Sequence, residues 1–429
     1  VRRRQLTAAT SWVTCSAYIV ACVLLAALQV GPLVGLLGFR WTEQFEWTLN
    51  GVARDLAVAA LLSLAVLAAW TGSGRARLPA SARWALAMVM AYTLAGLADP
   101  SGLLLTAMNL RRLVLVPLLF VAMLAVPWGA VQVDRLFRIV VVSSAVVAVL
   151  GLVERAAPEA LWTDWLDIDA YTAASNLDRF GQIPFADSGR YFSTDLETVL
   201  GAPLRRMIST YLEPTTLAAA MAVLLTLALA RRARGHPSLP LIVLAAVAGC
   251  ATLSKGFIAY LLMLAVWRVA GVPAPRHVGA MLLAGCGLAL LAHQSRLEGP
   301  LEHVAGLASS LRELAGGAWL GHGVGAAGNL SDLGNDTGEE SGLGNVMAQV
   351  GVLALLSVAW LLALVRDVLA AAAERRDPGG EWVAAWLVFW TLTYMFSASS
   401  LGVGGNALGF IAIALYLHPA SRPHPACAR

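Results

Sequence analysis

Charge is what this sequence has least of. Asp, Glu, Lys and Arg make up 13% of its 429 residues, against 59% for apolar ones, and a soluble globular chain is nearer one-quarter charged. So few ionic groups cannot hydrate a whole surface, which excludes an ordinary soluble protein and leaves most of the outside to face lipid. Lysine is nearly missing too, Lys255 being the only one. The seven histidines (His236, His277, His293, His303, His322, His418 and His424) are scattered, with no pair at ligand spacing, so no metal site is expected. Cys15, Cys22, Cys250, Cys286 and Cys427 show neither metal spacing nor a paired pattern, and four of them sit in apolar blocks as small hydrophobes. Strand-type alternation is absent. Gly321–Gly325 is glycine-rich, but no Lys-Ser/Thr follows it and no strand precedes it, so it is not a nucleotide-binding loop. No cofactor and no nucleic-acid partner are expected.

What is present is a series of apolar blocks, with a mean hydropathy of +0.71 over the chain. Each block is roughly 15–25 residues, a length that crosses a ~30 Å hydrocarbon core. In lipid every backbone polar group needs an internal partner, so the blocks are expected to be helices. The expected fold is therefore all-α: one polytopic bundle over residues 1–429, with about twelve spans near 12–37, 53–70, 84–98, 108–126, 139–153, 211–230, 239–253, 256–271, 278–292, 343–365, 382–397 and 402–417. The first block follows Arg2-Arg3-Arg4 without a small-residue cleavage site and reads as a retained helix rather than a signal peptide.

Basic residues orient the bundle. With the start of the chain in the cytoplasm, the cytoplasmic links hold 18 of 30 basic residues and 5 of 26 acidic ones, including Arg75, Arg135, Arg138, Arg231, Arg232 and Arg375. Short basic loops belong inside. Two long loops, 154–205 and 293–342, then lie outside. Loops of that length are functional or disordered. The first contains Trp162, Trp165, Tyr171, Phe180, Tyr191 and Phe192, an aromatic content that argues for order or for packing at the membrane interface; the second contains an amphipathic helical pattern over Leu301–Leu314.

Three places carry chemistry. At the mouth of the sixth span, Arg205 and Arg206 are adjacent and next to hydrocarbon, which is costly unless they meet water, headgroups or an anion. Headgroup snorkelling and an anion site both answer that cost. Glu213 and Pro214 follow at the helix start, where a carboxylate suits the dipole and a missing N–H costs little. The second place is the turn Thr252-Leu253-Ser254-Lys255, on the same outer side. The third is the acidic run Asp332, Asp336, Glu339 and Glu340 that precedes the tenth span. It reads either as a solvated loop or, at Glu340, as a carboxylate facing a cavity and able to act as a base.

In that order and spacing the three places resemble the O-antigen ligase and polymerase superfamily of bacterial membrane glycosyltransferases. The family pattern Arg-x-x-Gly-Ser/Thr-Phe-x-Asn-Pro-Asn is similar to Arg206–Thr215, with Ser209 for Gly, Tyr211 for Phe, Glu213 for Asn and Thr215 for the last Asn. Thr-x-Ser-Arg is similar to Thr252-Leu253-Ser254-Lys255, and Gly-x-Gly to Gly321-His322-Gly323 or Gly323-Val324-Gly325. The ligase pattern of His, a small polar residue, nine residues and Gly-x-x-Gly has its spacing in Glu340-Ser341 followed by Gly351, with Glu340 in place of His. That replacement points to the polymerase-like branch.

The resemblance implies an inner-membrane enzyme that joins or transfers polyprenyl-pyrophosphate-linked glycan units at the outer face. The reaction is a metal-independent, inverting displacement onto a glycan or glycolipid acceptor. It also implies catalytic Glu340 as base and Arg206 on the departing pyrophosphate, with Arg205, Lys255, Ser254 and Glu213 binding substrate, and a chain-length regulator protein as a partner besides membrane lipid. The alternatives are an O-antigen ligase acting on a lipid A core and, from another class, a transporter or flippase for an anionic solute or lipid. No internal repeat supports the transporter, and the polar clusters lie at the outer face rather than at the midplane.

Overall fold

The structure is a computed structural model, and it describes residues 2–42, 52–70, 78–98, 103–175, 185, 191–193, 201–294, 302–325, 341–397 and 403–421. Fifteen α-helices account for most of these residues. They are α1 (Arg2–Thr42), α2 (Ala53–Trp70), α3 (Ala80–Leu97), α4 (Leu103–Ala125), α5 (Ala130–Ala156), α6 (Ile168–Ser175), α7 (Pro214–Ala233), α8 (Leu239–Ala251), α9 (Lys255–Ala270), α10 (Pro275–Gln294), α11 (Glu302–Ala315), α12 (Gly342–Val350), α13 (Leu355–Arg375), α14 (Pro378–Phe396) and α15 (Gly404–Leu417). One antiparallel pair joins β1 (Phe192–Ser193) to β2 (Leu204–Arg205), with Phe192 opposite Arg205.

Eleven of the twelve expected spans each overlap one of these helices, while the tenth, 343–365, covers α12, a 3-10 turn over Gly351–Ala354 and the first half of α13. Among the described residues, seven helical stretches are long and apolar enough to cross a membrane: α1 from Ser11, α2, α3, α4 from Thr106, α5, α7, and the continuous run Gly342–Arg375 that joins α12 to α13. The helices α8 and α15 are apolar but shorter, with 13 and 14 residues. Several apolar helices in one chain mark a multi-pass membrane protein. Large apolar side chains also point outward along them: Val66 of α2 is 69% and Val153 of α5 64% exposed. In water that exposure would be destabilising, but in hydrocarbon it is the matched surface.

The chain divides into two compact units. The first comprises Val1–Ala76, Ala122–Leu262 and Gly404–Arg429. Here α7 packs on α8 and on α15, α5 packs on α7 and α8, and α1 packs on α2 and α5. Small residues bring the backbones together. A Cβ on Gly405 of α15 would lie 2.2 Å from the Thr216 carbonyl oxygen in the first turn of α7. The second unit comprises Arg77–Val121 and Met263–Val403. In it α13 packs on α3 and α14, and α11 packs on α10 and α12. The amphipathic pattern expected over 301–314 is present as α11, which buries Leu307 and Ala308.

Candidate functional site

The first long loop is built on an aromatic cluster. Phe39 from the end of α1 joins Trp162, Tyr171, Phe185, Tyr191, Phe192, Ile208 and Leu212 in one buried group. Phe185 is its centre, with ring centroids 4.7 Å from Tyr191, 5.6 Å from Phe192 and 6.4 Å from Trp162. Offset and edge-on rings add roughly 0.5–1.5 kcal/mol each beyond burial. Phe180 lies outside the described residues.

That cluster presents the chain to a buried carboxylate. Glu154, near the C-terminal end of α5, is 8% exposed. Its Oε1 accepts from Trp162 Nε1 at 2.8 Å, and its Oε2 accepts from the amides of Ile208 and Ser209, each at 3.2 Å. Arg205 stands beside it, with Nη2 3.9 Å from Glu154 Oε1. The same Nη2 reaches the carbonyls of Glu154, Arg155 and Ala157 at 2.8–2.9 Å. A guanidinium on the last carbonyls of a helix satisfies acceptors that have no partner in the helix and opposes the negative end of the dipole. Arg205 is thus occupied as the cap of α5, and its Nη1 is buried without a partner among the described residues.

Arg206 is held differently. Its amide donates to the Tyr191 carbonyl at 2.7 Å, and the next amide, Met207, donates to the Ala251 carbonyl at 3.0 Å. Its side chain is half-buried, and Nε donates to the Thr252 carbonyl at 3.0 Å. These bonds fasten the Arg206 segment to the turn between α8 and α9, 46 residues away in sequence. The turn is itself shaped by close contacts. Thr252 Oγ1 donates to the Gly249 carbonyl at 2.6 Å and accepts the Ser254 amide at 3.3 Å. Leu253 has φ +51°, and the Phe257 ring lies where a Cβ on Gly249 would be, 2.1 Å from its Cζ. Ser254 is buried, its carbonyl accepting the first amide bonds of α9, while Lys255 is exposed as the first residue of that helix. A lysine there adds its charge to the positive end of a helix dipole, an arrangement that costs stability unless an anion offsets it.

Between these anchors the backbone bends sharply. Ser209 and Leu212 have φ of +48° and +54°. Ser209 Oγ donates to the Val147 carbonyl at 2.8 Å, and Gly151 leaves room for the bend, since a Cβ on it would lie 2.9 Å from Met207 Sδ. Tyr211 is buried, and among the described residues its hydroxyl has no partner. Burial pushes that phenol well above its ordinary pKa, so it stays neutral at any working pH. Glu213 caps α7, accepting the amides of Thr215 at 3.2 Å and Thr216 at 2.7 Å as well as both threonine hydroxyls. Its carboxylate is therefore engaged with the helix start, and Pro214 takes the first helical position.

In the second unit, the glycine run and the α12 terminus meet each other. The amides of His322 and Gly323 donate to the carbonyls of Ala348 and Gln349 at 2.8 and 3.1 Å, and Gly325 donates to Gln349 Oε1 at 3.2 Å. Gly351, with φ +59°, ends α12 where a Cβ would lie 2.1 Å from the Trp319 carbonyl oxygen. Ser341 caps α12 by accepting the Gly344 amide at 2.9 Å, and its hydroxyl donates to the Met395 carbonyl. Glu340, with Asp332, Asp336 and Glu339, lies outside the described residues. Among the described residues no group of three His, Cys, Asp or Glu gathers at metal-binding distance.

Of the residues singled out from sequence, the fold brings Arg206 to the Ser254-Lys255 turn, sets Arg205 on α5 and sets Glu213 on α7. Glu154 was missed. Its one sequence signal is a carboxylate at the C-terminal end of an apolar block, eight residues before a tryptophan. No family profile matches the chain, and no curated protein matches it.

Proposed function

We propose that this chain is a glycosyltransferase of the bacterial cytoplasmic membrane that joins polyprenyl-pyrophosphate-linked glycan units, in the manner of the O-antigen polymerases its sequence resembles. One observation supports the reading most. The two segments that resemble the family's arginine patterns are bonded to each other through Met207 N to Ala251 O and Arg206 Nε to Thr252 O. A second detail agrees with the alignment of those segments. The pattern's glycine falls on Ser209, whose φ of +48° is a conformation that favours glycine.

On this reading the chain crosses the membrane twelve times and the Arg206 segment lies at its outer face. The donor's pyrophosphate sits on the Arg206 guanidinium and the Lys255 ammonium, the fork giving paired bonds to phosphate oxygens and the lysine a point charge. The acceptor hydroxyl oxygen attacks the anomeric carbon as the carbon–oxygen bond to pyrophosphate breaks. The configuration inverts, and the hydroxyl proton passes to the Glu340 carboxylate. Arg205 and Glu213 act through structure: the first fixes the end of α5 and the second the start of α7.

The test is repeat-unit joining by purified protein in nanodiscs, with a synthetic polyprenyl-pyrophosphate glycan. Arg206→Ala should lose turnover by about 10²–10³-fold, the scale of removing one charge-stabilising donor, while the loss of its one bond to the Thr252 carbonyl lowers Tm by only a few degrees. Turnover within twofold of the unsubstituted protein would end the reading and leave Arg206 a headgroup anchor.

A further inference from the structure

The first unit has a second place where arginines meet hydrocarbon, at the far end of the same helices. An open cavity of about 600 Å³ runs along α5 and is lined by Arg138, Val142, Val146, Leu150, Arg231 and Leu241. Arg138 lies two turns into α5, Arg231 is in the last turn of α7, and Leu241 is in the first turn of α8. Since Glu154 and Glu213 occupy the opposite ends of α5 and α7, the arginine end of this cavity is remote from the Arg206 segment.

We propose that it binds one acidic phospholipid, with the phosphate on Arg138 and Arg231 and an acyl chain along α5. Three properties favour that occupant. The first is length. From Arg138 to Leu150 the helix rises about 18 Å at 1.5 Å per residue, close to half of a ~30 Å hydrocarbon core and so to one leaflet. The second is the division of chemistry. Polar groups stand at one end only, and the rest is Val142, Val146 and Leu150, which are 61%, 52% and 46% exposed. The third is that the two arginines come from different helices. A single arginine beside a span reaches the headgroups wherever it stands, but two converging from α5 and α7 on one cavity form a basic pocket between helices, the arrangement that takes anionic headgroups.

Neighbouring charges leave the mouth basic. Arg138 Nη2 pairs with Asp134 at 2.6 Å, with 68% and 57% of the two side chains exposed. Such an exposed pair contributes little and yields to a phosphate. The other titratable groups on the same helix ends are Arg135, Arg232, Arg234 and His236, all exposed and none of them acidic.

The experiment is native mass spectrometry of the full chain released from mixed nanodiscs. These contain phosphatidylglycerol and phosphatidylcholine with identical acyl chains. The expected result is one retained phosphatidylglycerol with about a tenfold preference, a factor readable as a simple affinity ratio. Arg138→Ala with Arg231→Ala should bring that preference to about unity, and Arg138→Lys with Arg231→Lys should keep most of it. Val146→Trp, which fills the groove, should lower retention of both lipids. Equal retention of the two lipids by the unsubstituted protein would overturn the proposal, as would a preference that survives the double alanine variant. So would loss of the preference in excess inorganic phosphate, which would make the site one for free anions, or a dimer whose groove is closed by a second copy.

Discussion

Glu154 and Trp162, eight residues apart, are joined by a hydrogen bond of 2.8 Å between two buried groups, Nε1 donating to Oε1. The other carboxylate oxygen takes the amides of Ile208 and Ser209, so one side chain holds the loop's aromatic cluster and the Arg206 segment together. Removing it leaves the indole N–H and two amides without an acceptor. Each such group costs about 1–3 kcal/mol. Glu154→Ala should therefore destabilise the protein by at least about 3 kcal/mol. Glu154→Gln, which keeps only one accepting oxygen, should fall between the two. Denaturation of purified protein in detergent reads both, and a loss below about 1 kcal/mol for the alanine variant would show that the loop is held elsewhere.

Tyr211 makes an opposite prediction. Its buried hydroxyl has no partner among the described residues, so it costs desolvation with no bond in return. Tyr211→Phe should be neutral or stabilising, by up to about 1 kcal/mol, with turnover unchanged. A large loss of activity in that variant would assign the hydroxyl a role in substrate contact.

Gly351 belongs to the second unit and tests its backbone. With φ +59° and the Trp319 carbonyl oxygen 2.1 Å from where a Cβ would stand, no other residue fits without moving the glycine turn off α12. Gly351→Ala should cost more than about 3 kcal/mol, combining strain and displacement, and should lower the yield of folded protein. Gly287, where a Cβ would meet nothing within 4 Å, is the control, and Gly287→Ala should leave both yield and Tm unchanged.

The proposed base is tested by charge alone. Glu340→Gln keeps shape and removes basicity, so joining activity should fall by about 10²–10⁴-fold, while binding of the lipid-linked donor persists. Glu339→Gln should lose far less. If Glu339→Gln or Asp336→Asn is inactive and Glu340→Gln is not, the proton leaves by another carboxylate.

The helices were legible because each apolar block has one physical solution in lipid, and the short turn around Ser254 was legible because Thr252-Leu253-Ser254-Lys255 interrupts two such blocks. The aromatics of the first loop argued for order or for interfacial packing, and among the described residues Trp162, Tyr171, Tyr191 and Phe192 share one buried cluster while Trp165 is exposed. Among the described residues seven stretches rather than twelve meet a strict length and apolarity measure; α8 and α15 are apolar but only 13 and 14 residues long, and α9, α10 and α14 also fall outside the seven. The division of labour between Arg205 and Arg206 could not be read, because adjacent arginines look alike until a chain direction is known. The β2 pairing turns one inward onto the α5 carbonyls and leaves the other half-buried against Thr252. Glu154 was missed because, besides the nearby Trp162 indole, it accepts main-chain amides 54 and 55 residues away, and amides carry no residue identity.

Of the bonds that tie residues 206–209 to other parts of the chain, two are backbone pairs with Tyr191 and Ala251, and the rest use the side chains of Arg206, Glu154 and Ser209. A backbone bond does not register which side chain it carries. The bonds at Tyr191, Met207 and Ala251 are therefore indifferent to side-chain identity, whereas the path depends on the side chains of Glu154, Arg206 and Ser209 and on the small residues Gly151 and Gly249. A saturation library over these segments would show intolerance at those positions and at the buried Met207 and Ile208.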